Sequence, residues 1–322
     1  MYKKFFGLNR DPFEISPDPY FLFPTPAHNE ALASVYYGVR RRKGFVVLTG
    51  EVGTGKTLMI RCLLDLLARN RVAFAYVFNP SLSATNFLEF VSAEFGLPYA
   101  NKSKTDVLRQ LNQFLISRHQ RGLTSTLIID ESQHLSRELL EEVRLLTNLE
   151  ANQQKLLQIV LIGQAEFEQK LDLAELRQLK QRIALWCRLG PLNQGETAQY
   201  VDRRLTLAGA GARVQSIFPD DALLAVHHYS RGIPRLINIL CDNALIAAYA
   251  QQAAKVTSEM VHQIATDLRL QSSLKPEVVR NNGHPDGHGE DVASAINTLL
   301  KLLESLADNE RVKNHAPAYQ QA

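Results

Sequence analysis

Eight residues between an apolar segment and a predicted helix have a pattern that binds phosphate groups. They read GEVGTGKT and match G-x-x-x-x-G-K-T. Glycines in this pattern let the backbone curl until several N–H groups point at one phosphate cluster, and the helix that follows adds its dipole. Lys56 would place a charge on the β and γ phosphates, while the Thr57 hydroxyl would reach Mg²⁺. The predicted nucleotide-binding residues are Gly50, Glu51, Val52, Gly53, Thr54, Gly55, Lys56 and Thr57.

A pair of acids supplies the second chemical element. Asp130 and Glu131 directly follow the apolar segment TLII. Asp130 could hold Mg²⁺ through water, and Glu131 could polarise a water molecule that attacks a phosphate. The alternative is that the pair only caps the next helix. Because the glycine loop lies upstream, the pair favours nucleotide hydrolysis over nucleotide binding alone.

Four further polar residues could contribute to phosphoryl transfer. Gln164 follows the segment LLQIVLIG and could orient the water, although a polar residue that merely starts a turn would look the same. Arg177 and Arg182 precede the last predicted strand, and Arg235 opens a helix in SRGIPR. An arginine beside the γ-phosphate of a neighbouring subunit raises the rate by roughly 10³ to 10⁵. A single arginine is more often a solvated charge, so it is position in the chain that selects these three.

Apolar segments alternate with helical patterns from residue 26 to 190. Strands are predicted at 45–49, 72–78, 126–130, 156–163 and 184–189, with helices at 26–42, 56–69, 84–95, 105–121 and 137–150. Such strands lack period-two alternation, which indicates a parallel sheet covered by helices on both faces. Asn193 and Glu196 have the spacing of a capping box, and an all-helical module follows, with helices at 193–208, 220–229, 234–251 and 258–270.

These patterns divide the chain into six parts. They are an irregular N-terminal arm rich in proline and aromatic residues, a phosphate-loop core, a helical lid domain, a flexible polar linker, an amphipathic helix and a disordered tail, at 1–25, 26–190, 191–270, 271–290, 291–308 and 309–322. The amphipathic helix has its apolar residues three and four positions apart, at Val292, Ile296, Leu299, Leu303 and Leu306. It could pack on its own protein, or it could dock on a partner or a second copy.

Composition excludes several classes of protein. The chain has 322 residues, 45% of them hydrophobic, and a formal net charge of +3, which does not indicate tight nucleic-acid binding. Its cysteines, Cys62, Cys187 and Cys241, are far apart and form no C-x-x-C pair, which argues against zinc and disulfides. No signal-peptide pattern and no apolar run of about 18 residues is present, so we expect a cytoplasmic protein without a transmembrane segment.

Seven separated blocks together resemble one family. They are FFGLNRDPFEISPDPYFLF, GFVVLTGEVGTGKTLMIR, LIIDESQHLS, EEVRLLTNLE, KLLQIVLIGQAEF, LRQLKQRI and SRGIPRLINILCDNAL, in this order over roughly residues 1–270. The chain resembles the AAA+ ATPases of the general secretion pathway protein A type (ExeA/GspA-like). Among them it is most similar to short members such as the ATPases of MSHA-type pilus biogenesis and of exosortase-associated operons.

The resemblance implies a role for each candidate residue. Residues 50–57 would form the Walker A loop, and Asp130 with Glu131 the Walker B pair. Gln164 would stand at sensor 1, Arg182 (or less well Arg177) at the arginine finger, and Arg235 at sensor 2. The family implies ATP, Mg²⁺ and a homo-oligomeric ring or dimer in which an adjacent subunit completes the site. The chain departs from the family pattern at Ala165, where proline is usual, and this change should matter little.

The resemblance also suggests a process. Secretion-type members continue into a transmembrane helix and a peptidoglycan-binding domain, which we expect this chain to lack. We therefore expect a motor or switch that assembles a type II secretion system or a type IV (MSHA-type) pilus beside the inner membrane, through a partner protein. The alternatives are a DNA-associated helper ATPase of the TniB transposition type and a nucleotide-dependent scaffold. The basic run from Arg40 to Lys43 could contact DNA phosphates, but a solvated helix end fits it better.

Overall fold

The computed structural model describes residues 1–78, 82–151, 153–211 and 214–270. Its strands are β1 (Phe45–Gly50), β2 (Ala73–Val77), β3 (Ser125–Ile129), β4 (Glu150–Ala151), β5 (Gln154–Lys155), β6 (Leu157–Gly163) and β7 (Ile183–Leu189). Its helices are α1 (Tyr2–Phe6), α2 (Pro26–Arg40), α3 (Lys56–Arg69), α4 (Ala84–Glu94), α5 (Lys104–Gln120), α6 (Arg137–Leu146), α7 (Ala165–Leu171), α8 (Arg177–Lys180), α9 (Gln194–Leu207), α10 (Val214–Ile217), α11 (Asp220–Ser230), α12 (Pro234–Ala250) and α13 (Ser258–Asp267). The predicted linker, amphipathic helix and tail lie outside the described residues.

Five strands form one parallel sheet in the order β2-β3-β6-β1-β7. Every residue of β1, β3 and β6 is buried, as expected for central strands that helices cover on both faces. The predicted parallel α/β sheet of the P-loop NTPase type, followed by an all-helical part, is thereby confirmed.

The chain forms two compact units, each with its own core. The sheet unit contains residues 26–52 and 59–189, and its core is made of strand residues together with the inner faces of α4, α5 and α6. The helical unit contains residues 1–25, 53–58 and 190–270. Residues Gly53 to Leu58, which include most of the glycine loop, belong to the helical unit. The loop nevertheless follows β1 directly along the chain.

The N-terminal arm is part of the core of the helical unit. Tyr2, Phe6 and Phe13 are buried among residues of α9, α11 and α12. The buried guanidinium of Arg204, on α9, donates to the Pro12 carbonyl at 2.6 Å and lies 4.7 Å from the ring centre of Phe21. The arm was predicted to be irregular, but it begins with helix α1, which ends at Gly7 in a left-handed conformation.

Most predicted element boundaries differ from the structure by three residues or fewer, and the largest difference is at α6. This helix was predicted to reach residue 150 but ends at Leu146, because the Thr147 hydroxyl donates to the Arg144 carbonyl and the β4–β5 hairpin follows. The hairpin and the short helices α7, α8 and α10 were not predicted. The capping box at the start of α9 is confirmed, with both hydrogen bonds between Asn193 and Glu196 present.

Candidate nucleotide-binding site

The glycine loop leaves no room for a side chain at its centre. Gly53 and Gly55 have φ angles of +85° and +99°, which favour glycine. A Cβ atom added at Gly53 would lie 2.7 Å from Cβ of Arg235 and 3.1 Å from Cγ2 of Ile233. Only glycine therefore fits at position 53, which agrees with the predicted main-chain cradle for phosphate.

Within the helical unit, the first turn of α12 lies on this loop. The Arg235 main-chain N–H donates to the Gly53 carbonyl at 3.2 Å. The preceding turn is fixed by Gly232, whose φ is +73° and at which an added Cβ would lie 1.8 Å from the Leu192 carbonyl oxygen. The contacts of the main chain thus bring Arg235, predicted from sequence, beside the predicted phosphate loop, with its side chain exposed.

The loop runs into α3, which begins at Lys56. Thr54 is fully buried and Lys56 is 8% exposed, whereas Thr57 is exposed. An anion at the loop would be attracted by two groups. One is the Lys56 ammonium, and the other is the set of main-chain N–H groups at the N-terminus of a helix. The predicted cradle residues Glu51 and Val52 are both exposed.

In the sheet unit, three predicted site residues lie at the carboxyl ends of neighbouring strands. Asp130 follows β3, Gln164 follows β6 and Gly50 ends β1. Strand β6 lies between the other two and is parallel to both. The acids and Gln164 are consequently placed at the carboxyl edge from which the glycine loop leaves β1.

Asp130 is held by hydrogen bonds from neighbouring groups of the sheet unit. Its side chain is 7% exposed and accepts hydrogen bonds from the Tyr76 hydroxyl at 3.1 Å and from the Glu131 main-chain N–H at 2.8 Å. Burial, and then the Asp130 charge, raise the pKa of Tyr76, so the phenol stays a hydrogen-bond donor. Tyr76 was not predicted, because one tyrosine in an apolar strand gives no signal.

Glu131 is held by two amides. Its Oε2 accepts from Nε2 of Gln164 at 3.3 Å and from Nε2 of Gln133. Its φ is +50°, a left-handed conformation that costs a non-glycine residue about 1–2 kcal/mol. Such outliers cluster at active sites, where the surrounding contacts hold them in place.

Gln133 connects the two predicted residues and was missed from the sequence. While its amide nitrogen donates to Glu131, its Oε1 accepts from the Gln164 main-chain N–H at 3.1 Å. Lys170 donates to the Gln133 carbonyl at 2.9 Å, and burial, followed by the charge of Arg137, lowers the pKa of Lys170. The available signal was a glutamine two residues after the acid pair in DESQ, which the carboxyl-edge argument could have included.

The end of β1 is braced from α7 and β7. The Thr49 hydroxyl donates to Oε1 of Glu168 at 2.5 Å, and Nε of Arg188 donates to the same oxygen at 2.8 Å. The hydrogen bond to Glu168 raises the pKa of Arg188. Glu168 lies on α7, whose first residue is Ala165, a position in a helix at which proline is equally tolerated.

One of the two candidate finger arginines, Arg182, lies away from this edge. Arg182 precedes β7, and its Nη1 donates to Oγ1 of Thr147 at 2.6 Å and to Oδ1 of Asn148 at 2.8 Å. The seven residues of β7 extend for about 20 Å between Arg182 and the carboxyl edge. Arg177 is exposed at the start of α8. Within one sheet unit, Arg182 is therefore not placed with Asp130, Glu131 and Gln164.

The residue types fit a magnesium nucleotide. Mg²⁺ is usually held by one or two carboxylates or hydroxyls together with substrate phosphates, not by a cage of protein ligands. The described residues contain no cluster of three or more histidine, cysteine or acidic side chains that could hold a metal by themselves. Asp130 offers a carboxylate and Thr57 a hydroxyl, which are donor types that such a substrate-bound ion uses.

Comparison with known proteins identifies the family. The profile of the AAA domain matches residues 39–171. General secretion pathway protein A of Aeromonas hydrophila is 47% identical over 257 residues, which are 80% of this chain and 46% of that protein. The chain is an AAA+ protein of the general secretion pathway protein A type. It spans less than half the length of that relative.

Solved structures agree on the AAA+ fold. Cdc6p from Pyrobaculum aerophilum has a TM-score of 0.62 and 16% identity, covering 98% of this chain and 93% of its own. The Drosophila ORC bound to DNA has a TM-score of 0.61 and 18% identity, covering 93% and 79%. Such low identity shows the fold alone. In the described part of this AAA+ protein, no helix combines the length and hydropathy needed to span a bilayer.

The Gly53 cradle leads to a first prediction. Gly53→Ala should weaken ATP binding at least tenfold, because the new Cβ would collide with Arg235 and Ile233 and displace the loop. Gly96→Ala is the matched control, since Gly96 also has a positive φ, +72°, but no atom lies within 4 Å of its added Cβ. Fluorescence titration with a labelled ATP analogue measures both. Equal affinity in the two variants would contradict the cradle.

Proposed function

We propose that the protein binds ATP with Mg²⁺ and hydrolyses it to ADP and phosphate. The observation that carries this proposal is Glu131, which lies at the carboxyl edge with Gln164 donating to its carboxylate at 3.3 Å. A protein that only binds a nucleotide needs the glycine loop and an acid for Mg²⁺, such as Asp130. It does not need a second, oriented carboxylate such as that of Glu131. The AAA domain and the identity to general secretion pathway protein A support the same conclusion.

Each residue has a defined part in this reaction. The loop amides from Gly50 to Thr57 and the Lys56 ammonium would hold the β and γ phosphates, while Thr57 and Asp130 would hold Mg²⁺, which would supply neutralisation of charge on the phosphate oxygens. Glu131 accepts a hydrogen bond from the attacking water and draws off its proton as the oxygen bonds to the γ-phosphorus and the bond to ADP breaks.

The remaining residues sense and stabilise the γ-phosphate. Gln164 can donate to the water or the phosphate from the position in which it now contacts Glu131. Arg235 reaches the same group from the start of α12. Arg182, with Arg177 as the lesser candidate, acts on the nucleotide of an adjacent copy, because about 20 Å of strand separates it from its own carboxyl edge. The proposal therefore includes a ring or dimer.

We further propose that hydrolysis serves as a motor or switch in assembly of an envelope machine, a type II secretion system or a type IV (MSHA-type) pilus. The support is the name of the relative, general secretion pathway protein A. The protein would work in the cytoplasm at the periphery of the inner membrane, through a partner. The DNA-bound structural neighbour supports no DNA-associated role here, because its likeness shows only the fold.

Two substitutions test hydrolysis directly. Lys56→Ala should abolish ATP binding, because the main phosphate-binding charge is lost. Glu131→Gln should retain ATP binding and lower turnover by about 10²- to 10⁴-fold, because the carboxylate that accepts the proton is gone. Release of phosphate and retention of labelled ATP on filters measure the two properties. Wild-type turnover in Glu131→Gln would refute the role of Glu131.

Gln133 is expected to position Glu131. Gln133→Leu should lower kcat about 10- to 100-fold with little change in ATP affinity, because the carboxylate loses the amide that orients it. Gln169→Leu, at an exposed position of α7, is the control. In a Glu131→Gln background the same change at Gln133 should have no further effect. An equal additional loss there would show that Gln133 acts independently of Glu131.

A mixing experiment tests whether Arg182 acts between copies. Arg182→Ala should bind ATP but not hydrolyse it, and Lys56→Ala should do neither. A mixture should regain part of the wild-type rate, because one variant contributes an intact loop and the other an intact arginine. A merely structural role, such as holding Thr147 and Asn148 at the end of α6, predicts no recovery.

A further inference from the structure

The amino edge of the sheet is densely cationic. Three turns lead from α2, α3 and α5 into β1, β2 and β3, at residues 40–44, 69–72 and 118–124. They contain no acidic residue and eight basic ones, which we call the amino-edge basic surface: Arg40, Arg41, Arg42, Lys43, Arg69, Arg71, Arg118 and Arg121. Because the strands are parallel, the three turns lie at the same edge, opposite Asp130 and Glu131.

Hydrogen bonds join the three turns into one surface. Nη2 of Arg42 donates to the Leu123 carbonyl at 3.2 Å, which links the first turn to the third. Nη2 of Arg118 donates to the Arg71 carbonyl at 2.8 Å, which links the third turn to the second. Arg42 and Arg118 are half-buried and structural, whereas the other six side chains are exposed.

Three cations of this surface, Lys43, Arg71 and Arg121, have no acidic partner among the described residues. The acid of the neighbouring hairpin, Glu150, pairs with Lys155. Burial lowers the pKa of Arg42, and the charge of Arg40 lowers it further. Basic residues often complement helix C-termini, but Lys43 and Arg71 lie beyond the helix ends.

The form of the surface favours lipid over nucleic acid. No Phe, Tyr or Trp lies within the three turns, and the nearby ring of Tyr37 is already covered by Arg41 and Lys43. The helices point their C-terminal carbonyls at this edge, whereas main-chain contacts to nucleic-acid phosphates come from N–H groups at helix N-termini. What remains is long-range electrostatic attraction from exposed cations, which suits the anionic headgroups of a bilayer.

We propose that the amino-edge basic surface binds anionic phospholipid headgroups and directs the carboxyl edge away from the membrane. This inference rests on the proposed function in envelope assembly, because it supplies a direct contact with the bilayer in addition to a partner protein. It does not rest on ATP hydrolysis.

Vesicle flotation tests the proposal. The full chain is mixed with vesicles of phosphatidylcholine alone or with about 30% phosphatidylglycerol. Binding should require phosphatidylglycerol and should fall steeply as salt rises. The double variant Arg71→Gln, Arg121→Gln should bind about 25-fold more weakly, because each cation that is removed should weaken binding about fivefold.

The control removes the same charge elsewhere. Lys104→Gln, Arg109→Gln changes two exposed cations in the first turns of α5, the helix whose other end carries Arg121, and each is paired with an acid. Basal ATP hydrolysis should be unchanged in both double variants. If the wild-type protein did not hydrolyse ATP, the proposed reaction would be refuted. The vesicle-binding result would still test the lipid proposal independently.

Three outcomes would overturn the lipid proposal. They are no binding to phosphatidylglycerol vesicles, an equal loss in the α5 control, and tighter salt-sensitive binding of a 40-base-pair duplex that depends on Arg71 and Arg121. The last result would assign the surface to nucleic acid.

Discussion

The parallel register of β3, β6 and β1 is the constraint on which the site depends. Ile129 pairs with Leu161, and Thr49 pairs with Gly163, so the residues that follow these strands emerge together although they are distant in sequence. A slip of one residue would turn every side chain to the opposite face. Burial of both faces of these strands by helices prevents such a slip, because each face is apolar and packed. The chemistry of the acid pair is therefore positioned by the hydrophobic core.

The helical unit depends on a different interaction, a buried arginine that forms no ion pair with a carboxylate of the described residues. Arg204 is 5% exposed and donates to the Pro12 carbonyl, the Tyr200 hydroxyl and the Asn238 side chain, while its plane lies over Phe21. A buried cation is costly unless its hydrogen bonds are satisfied, and here neutral oxygens and an aromatic face satisfy them. The arm thus completes the core of the unit that carries Arg235, and the start of the chain stabilises a unit made mostly of its later residues.

The sequence predicted what depends on local pattern and missed what depends on contacts between distant segments. Lys56 and Pro234 begin their helices as predicted, because the glycine loop and the proline at a first helical position are local signals. The edge shared by Asp130 and Gln164 followed from the rule that parallel strands end together. Tyr76 was missed, since only the pairing of β2 with β3 brings it to Asp130. Gln133 lies two residues after Glu131, but its contact with Gln164 arises only from the pairing of β3 with β6. The end of α6 was misplaced because its residues remain helix-compatible up to the hairpin.

The same topology that collects the acids also separates the charges of the sheet unit. In a parallel α/β sheet the crossover helices run against the strands, so their N-termini face the carboxyl edge and their C-termini face the amino edge. Helix N-termini attract phosphate, and C-termini tolerate cations. Anion binding is therefore favoured at the edge that carries Glu131 and Gln164, while arginines accumulate at the other without opposing it. Arg182 belongs to the cationic edge, where it can meet a phosphate only if another molecule brings one. If Arg182 takes part in the proposed reaction, one copy of the chain does not place it with Glu131, and this is the physical reason to propose that ATP hydrolysis belongs to an assembly.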